Sequence, residues 1–401
     1  MPALLVHAGA LFYVFGIFYQ PLFNEFGWAR TQVAAGLTIY IFTVGCCAPL
    51  VGKLTDLFGP KKLIWVGAFL GGIIFVLLSR MNALWQFYGL YFLHGIAFAG
   101  CGTVPVNTAL TNWFDKKRGR SIGIAMAGVS LGAIIITPAG GFILEHYGWR
   151  MTYLFLSVTT WVIVIPPILL IMKNSPQEIG LFPDGDDPVG NQKEGNSYPT
   201  DSVISPKLER EWTFGAATRT IPFWFISFAY LFIYMAIGSV LSHQIVYLTD
   251  MEIPMSSAAA VLGVTGGMGG VGKIVFGLLS DRFSPKPITI ICAVMQGFGI
   301  MLLLSAKSMP LVWIYAVFFG FCMGGHLALQ PLVVAHFFGL ASFGTIYGIV
   351  SMAGAMGSAV GPVVAGLAFD TSGTYQGVFT GCIVVSFLAA MAILLSKRIK
   401  T

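Results

Sequence analysis

Twelve stretches of this chain are each long and apolar enough to cross a bilayer, and that pattern decides the class of fold. Bounded by charge and turn signals, they run approximately over residues 3–23, 31–54, 63–80, 83–113, 121–144, 151–172, 222–249, 257–280, 287–306, 309–338, 343–369 and 374–396. A helical span needs about 20 apolar residues. With no water to satisfy amides and carbonyls inside the bilayer, segments of this length must close their own hydrogen bonds as helices. Only 9% of the residues are charged, against about 25% in a soluble domain, so a soluble reading is excluded. The expected fold is all-α, a polytopic membrane protein of twelve transmembrane helices.

The basic residues orient it. Of the 22 lysines and arginines, 17 fall on one side, among them Lys53, Lys61, Lys62, Lys116 to Arg118, Arg120, Lys173, Arg282, Lys286 and Lys397. Arg30, Arg80, Arg150 and Lys307 fall on the other, so the first side is expected to be cytoplasmic, with both termini inside a plasma membrane. The net charge of +6 is thus an insertion signal spread over short loops, and it does not suggest nucleic acid. Cys46, Cys47, Cys101, Cys292, Cys322 and Cys382 all fall within spans without metal or disulfide spacing, and no cofactor is expected. The first span begins almost at Met1 with no basic residue ahead of it, so either the start is misassigned or orientation rests on later loops. No cleavable signal peptide is needed.

The chain repeats itself. GKLTDLFGPKK, from Gly52 to Lys62, returns 225 residues later as GLLSDRFSPKP, from Gly277 to Pro287. In each copy the glycine permits a tight helix end, while Asp56 or Asp281 can cap a helix N-terminus. Phe114 and Phe338 close the fourth and tenth spans, and Gly132, Pro138 and Gly141 of the fifth match Gly357, Pro362 and Gly366 of the eleventh. Two pseudo-symmetric six-helix bundles are expected, 1–172 and 221–401, joined by a cytoplasmic linker, 173–220. The linker is polar and rich in Pro, Gly and Asp, and reads as lacking fixed structure until a short amphipathic segment at Glu211 to Thr220.

One lysine lies inside a span. Lys273 sits eight residues before Asp281, roughly 12 Å inside the boundary. It shares a helical face with Gly266, Gly270 and Gly277, spaced four, three and four apart. Glycine stripes pack against other helices, so this face directs the lysine to protein or a water-filled cavity rather than lipid, where it costs about 2.5–3.5 kcal/mol. Snorkelling to the near interface is the competing reading.

These residues resemble the major facilitator superfamily across essentially the whole chain: twelve spans in two halves, the paired loops, and the fifth-span run GVSLGAIIITPAGG. FGWARTQVAAG, NWFDKKRGRSIGIAMAGVSLG, GWRMTYLF, SPQEIGLFPDG and HQIVYLTD further resemble its bacterial monocarboxylate-porter branch, relatives of lactate and pyruvate carriers and of oxalate/formate exchangers. The resemblance implies the major facilitator fold and alternating access around a midplane site. It also implies a latch at the Asp-bearing loops, with Gly52, Asp56, Lys61, Gly277, Asp281 and Arg282 as gating residues. Where carboxylate-carrying relatives have arginine this chain has Lys273, which keeps the charge and loses the bidentate fork. The aspartate of animal lactate carriers is Gly269 here, and no second cation lies between Tyr347 and Phe369. One cation suits one carboxylate, hence a monoanion.

The remaining polar groups in the spans are candidates for substrate or proton contact. Asn107 stands with Thr103 and Thr111 on one face of the fourth span, where interhelical hydrogen bonding is the alternative. His94, His243 and His326 have the ordinary titration range for a proton switch, and Gln330 follows His326 at i+4. Tyr13 and Tyr347 lie on the first and eleventh spans, which line the cavity in the resembled fold; Met352 and Met356 read as packing. The expected function is secondary transport of a small organic monoanion such as lactate or pyruvate, by proton symport or anion exchange, with membrane lipid as the other partner. Competing readings are an exporter of hydrophobic compounds and a transporter-shaped sensor. An intramembrane enzyme would need paired acids, a metal cluster or an activated nucleophile inside the spans, and none is found.

Overall fold

The computed structural model describes residues 2–9, 15–185 and 212–397, and no strand occurs among them. After a π-helical turn at Leu4–Gly9 and a 3-10 turn at Phe15–Phe18 come α1 (Tyr19–Phe26), α2 (Arg30–Phe58), α3 (Pro60–Leu78), α4 (Leu84–Cys101), α5 (Thr103–Trp113) and α6 (Arg118–Leu170). The second half comprises α7 (Ile221–Asp250), α8 (Met255–Arg282), α9 (Pro285–Ser305), α10 (Met309–Phe338), α11 (Phe343–Ser372) and α12 (Tyr375–Leu395). Several helices open with a proline in the first turn, as α3, α7, α9 and α10 do, where its missing N–H would have no partner anyway.

Ten helical stretches among the described residues are long and apolar enough to span a membrane, and they account for the expected spans as follows. The fourth is α4 and α5 together, broken at Gly102. The fifth and sixth are the two limbs of α6, whose 53 residues would reach about 80 Å if straight. They do not run straight. Gly148 breaks the helix at φ 80°, ψ 172°, a conformation that glycine adopts at little cost. The Trp113 indole N–H then donates to Lys173 O at 3.0 Å, which brings both ends of α6 to one side of the protein. The first expected span, 3–23, is not among the ten, and its residues 10–14 lie outside the described set.

Two hydrophobic cores form. One gathers buried residues of α2 to α6, including Tyr40, Phe75, Phe87, Tyr91 and Tyr153. The other gathers those of α7 to α12, including Phe223, Tyr230, Tyr315, Phe319 and Phe379. Ala48 and Val104 of the first half belong to the second core, while Phe276, Leu329 and Leu332 pack into the first.

Residues 173–185, expected to lack fixed structure, are instead folded against the first half. Asn174 Oδ1 accepts from Lys61 N (3.0 Å), the Asn112 side chain donates to Asn174 O (3.3 Å), and Glu178 accepts from both the backbone and the side chain of Asn174 (3.1 and 2.8 Å). The Asn174 side chain is the stronger of these partners, and it holds the Glu178 carboxyl below its ordinary range. Composition suggested disorder; specific side-chain acceptors for loop amides overrule it. The amphipathic segment begins at residue 211, outside the described set, and continues as a helical turn at Phe214–Ala217.

At the end opposite the Asp-bearing loops, Glu25 receives Arg150 Nη2 at 2.6 Å and Nη1 at 2.9 Å, and the Trp149 indole N–H at 2.6 Å. The Arg150 guanidinium also lies 4.3 Å from the centre of the Trp149 ring. The Arg150 hydrogen bond, chiefly, holds the Glu25 carboxyl below its ordinary range. A depressed carboxylate stabilises the fold above its unfolded pKa, and that contribution is lost as pH falls through the lower folded value. Glu25→Gln should therefore lower the melting temperature at pH 7 by roughly 1–2 °C. The difference from the parent should shrink progressively as pH falls below the ordinary glutamate range, about 4.3, as read by thermal melts across a pH series.

Candidate functional site

The site lies where the halves meet, along two crossings related by the 225-residue offset. In one, α2 crosses α11: a Cβ added at Gly52 would meet the Gly344 carbonyl carbon at 2.5 Å, and one at Gly348 would meet Pro49 Cα at 2.9 Å. In the other, α8 crosses the first limb of α6: a Cβ at Gly277 would meet Gly119 O at 2.5 Å, and one at Gly123 would meet Lys273 O at 2.5 Å. Small residues let backbones approach this closely in lipid, where dispersion contacts replace the hydrophobic effect. Farther from the Asp-bearing loops the contact opens. Gly141 on α6 and Gly266 on α8 have nothing within 4 Å of an added Cβ, whereas the glycines nearest the loops meet backbone of the other half.

Each crossing is fastened by a carboxylate. Asp56 Oδ1 accepts from Gly344 N at 2.8 Å, and its Oδ2 accepts from Thr345 N (2.8 Å) and Thr345 Oγ1 (2.6 Å). Asp281 Oδ1 accepts from Gly119 N at 2.6 Å and its Oδ2 from Arg120 N at 2.9 Å. Each aspartate thus caps the N-terminus of a helix in the other half, where unpaired amides and the helix dipole both favour negative charge. Lys61, named with these residues from sequence, sits elsewhere. Its Nζ donates to Leu169 O at 3.1 Å, just as Lys286 Nζ donates to Leu394 O at 3.0 Å, so each lysine caps the C-terminus of its own half's last helix. Arg282 is exposed at the end of α8.

Above the α8 crossing lies Lys273, 3% exposed, with Nζ donating to Ser130 Oγ at 2.9 Å. Ser130 also lies 3.2 Å from where a Cβ on Gly270 would stand, so the ammonium reaches back along α8, away from the nearer membrane boundary. Of the glycine face predicted around it, Gly270 and Gly277 pack on α6 and Gly266 faces open space. An ammonium carries three donors, and one hydroxyl cannot neutralise it. Sequence reading missed Ser130; its one signal was a hydroxyl inside the glycine run GVSLG.

A second polar bridge joins the halves. Asn107 Nδ2 donates to Tyr347 OH at 2.9 Å, with both residues buried and Asn107 Oδ1 without a protein partner. Tyr347 lies one turn from Gly344, so this pair sits close to the latch. Across α11 from it, Gln330 Nε2 donates to Val350 O at 3.2 Å, and Gln330 and Tyr234 flank Gly354. His326, one turn before Gln330, is fully buried. His243 stands apart toward the open end, its Nδ1 3.2 Å from Tyr375 OH and its Nε2 3.1 Å from Pro362 O. His94 is buried between Tyr40 and Phe75. Thr111 bonds back to Thr108 O at 2.9 Å, and Tyr13 lies outside the described residues. No group of three or more metal-ligating side chains occurs among the described residues, and the six cysteines are free.

The model of the Major Facilitator Superfamily matches residues 2–337 and 268–400. Monocarboxylate transporter 12 of Rattus norvegicus is 26% identical over 357 residues, covering 84% of this chain and 71% of that one. Among solved structures, the E. coli fucose:proton symporter superposes with a TM-score of 0.71 at 15% identity, over 99% of this chain and 98% of that one. A second structure of this symporter, described as being in the outward conformation, gives 0.68 at 15% identity over 99% of each chain.

Because a side chain at Gly277 cannot coexist with Gly119 and Gly123 in the closed crossing, Gly277→Val should prop the latch end open. With the six cysteines replaced by serine, a reporter Ala48→Cys, buried in the parent beneath Gly348, should react with a membrane-impermeant maleimide several-fold faster in the Gly277→Val chain.

Proposed function

The chain belongs to the Major Facilitator Superfamily and is a multi-pass membrane transport protein, and we propose that it carries a small organic monoanion, a monocarboxylate of the lactate or pyruvate kind. One observation carries this reading: Lys273 is buried at the meeting of the halves and, among the described residues, has one hydroxyl as its hydrogen-bond partner. The similarity to a monocarboxylate transporter supports the same substrate class.

In this reading the Lys273–Ser130 pair forms the floor of a cavity open toward the end that carries Glu25. A carboxylate arriving there gains attraction in a low-dielectric site and supplies the acceptors that the ammonium lacks. Bound between Lys273 of α8 and Ser130 of α6, it draws on donors from both halves. Closure of the far end then encloses a neutral pair instead of a lone cation, so the loaded carrier occludes more readily than the empty one. Opening at the latch end next requires Asp56 and Asp281 to leave their amides and Asn107 to leave Tyr347. The bundles rock about the site, and release follows. A return step hindered by an unneutralised lysine couples the cycle to a proton or to a second anion, giving symport or exchange. In the same reading the latch end and both termini face the cytoplasm and the plasma membrane is the site of action, which the excess of lysine and arginine in the latch-end loops supports.

Radiolabelled lactate, pyruvate, formate, oxalate and an aromatic monoacid, offered to proteoliposomes with and without an inward-acid gradient, test the proposal. Saturable uptake of a monoacid is expected, reduced at least tenfold by Lys273→Met and partly retained by Lys273→Arg. Uptake indifferent to Lys273→Met, or none of any acid, would overturn it.

A further inference from the structure

The start of α6 is held by two carboxylates, and only one of them crosses between the halves. Asp184, in the first part of the linker, accepts from three successive amides: Asp115 N at 3.0 Å, Lys116 N at 2.6 Å and Lys117 N at 3.3 Å. Lys117 is the N-cap of α6. The amides of Gly119 and Arg120, two and three residues beyond it, are the pair that Asp281 accepts. Between the two sets, Arg118 Nη2 bonds Asp115 Oδ1 at 3.1 Å and its Nε bonds Phe114 O at 3.0 Å. That guanidinium is close enough to feel Asp115, Asp184 and Asp281 together, and so offsets the repulsion that the last two would otherwise exert on one another.

We propose that Asp184 is a positioning residue of the latch: by fixing the turn before α6 it aims the Gly119 and Arg120 amides at Asp281, so the linker biases the carrier toward the state closed at the latch end. Three features support this. First, Asp184 adopts a left-handed backbone, φ 62°, unusual for a residue other than glycine. The Asn174 and Glu178 contacts and the Leu181 N to Pro176 O bond (3.0 Å) hold the segment in which it does so. Second, among the described residues that segment is tied by hydrogen bonds to the first half, through Lys61, Asn112 and Trp113. Asp184 therefore stays with α6 when Asp281 departs, and acts by preorganising one partner rather than bridging two. Third, the symmetry-related helix start is built differently. There Asp56 gains a third bond from the Thr345 hydroxyl, where the first half has Arg120. The two crossings are alike in backbone and unlike in what sets them.

The test is a double-mutant cycle read by electron–electron resonance distances in the full chain in nanodiscs. Spin labels are carried at Lys53→Cys and Phe283→Cys, both exposed, one on each half, with the six natural cysteines replaced. Asp184→Ala is expected to raise the ratio of open to closed populations at the latch end about three- to tenfold. Asp184→Asn, which keeps an acceptor oxygen and the side-chain shape, should give a smaller shift and serves if the alanine variant fails to fold. In an Asp281→Ala background Asp184→Ala should add nothing, whereas in an Asp56→Ala background it should produce its full shift. No change in the distance distribution, a shift toward the closed form, or an equal shift with and without Asp281 would overturn the proposal, the last by reducing Asp184 to general support of the fold.

Discussion

The amide groups at the start of a helix have no partner within it, and at the membrane boundary this chain meets that need by exchange. Each half supplies the carboxylate that the other half's helix lacks: Asp56 for α11 and Asp281 for α6. The rest of the interface follows. For a carboxylate at the end of one helix to reach the first amides of another, the two must cross almost in backbone contact, which is why Gly52, Gly277, Gly119 and Gly344 stand where they do. The contact is made of hydrogen bonds at a wet boundary, of glycine surfaces and of a few apolar side chains such as Ala48, Val104 and Phe276, fewer than either core holds. It therefore separates at modest cost, where the two cores behind it do not.

On this symmetric frame the functional groups are asymmetric. Ala48 and Ala355 occupy the positions that Lys273 and Ser130 occupy in the other crossing. Charge is confined to one crossing, and the other is apolar at the same depth. The Asn107–Tyr347 bridge is likewise single: in the register that matches Phe114 with Phe338 the counterpart of Asn107 is Pro331, and that of Tyr347 is Ile122. A duplicated scaffold thus supplies the motion, and a few side chains on one side supply the chemistry.

Much of this was legible in the sequence because it was either periodic or costly. Twelve apolar runs, a 225-residue repeat and a lysine within a span each announce themselves without knowledge of any partner. The aspartates could be read as caps, since that is what a carboxylate after a glycine-rich helix face does best. What remained hidden was pairing at long range. Lys61 looked like a latch residue because it lies beside Asp56 in sequence, yet Leu169 is 108 positions away and is its actual partner. Ser130 was one hydroxyl among many, and its meaning depends on a lysine 143 residues distant. The linker misled for a related reason: its composition is that of a disordered segment, while the order of 173–185 rests on Asn174 and Asp184 accepting from amides elsewhere and on Glu178 accepting from Asn174.

The break at Gly148 bears on what the two faces of the protein offer to their surroundings. One residue suffices to turn the chain there, and the other connections at that end are scarcely longer: 27–29, 79–83, 251–254, 306–308 and 373–374. A surface this bare gives a protease no strand to grip and an antibody little to recognise. Nearly all the polar chain that a soluble molecule might touch lies at the latch end, where 171–220 alone exceeds all the opposite loops combined. To anything outside the bilayer this carrier has one legible face, and it is the face whose hydrogen bonds decide which way the carrier opens.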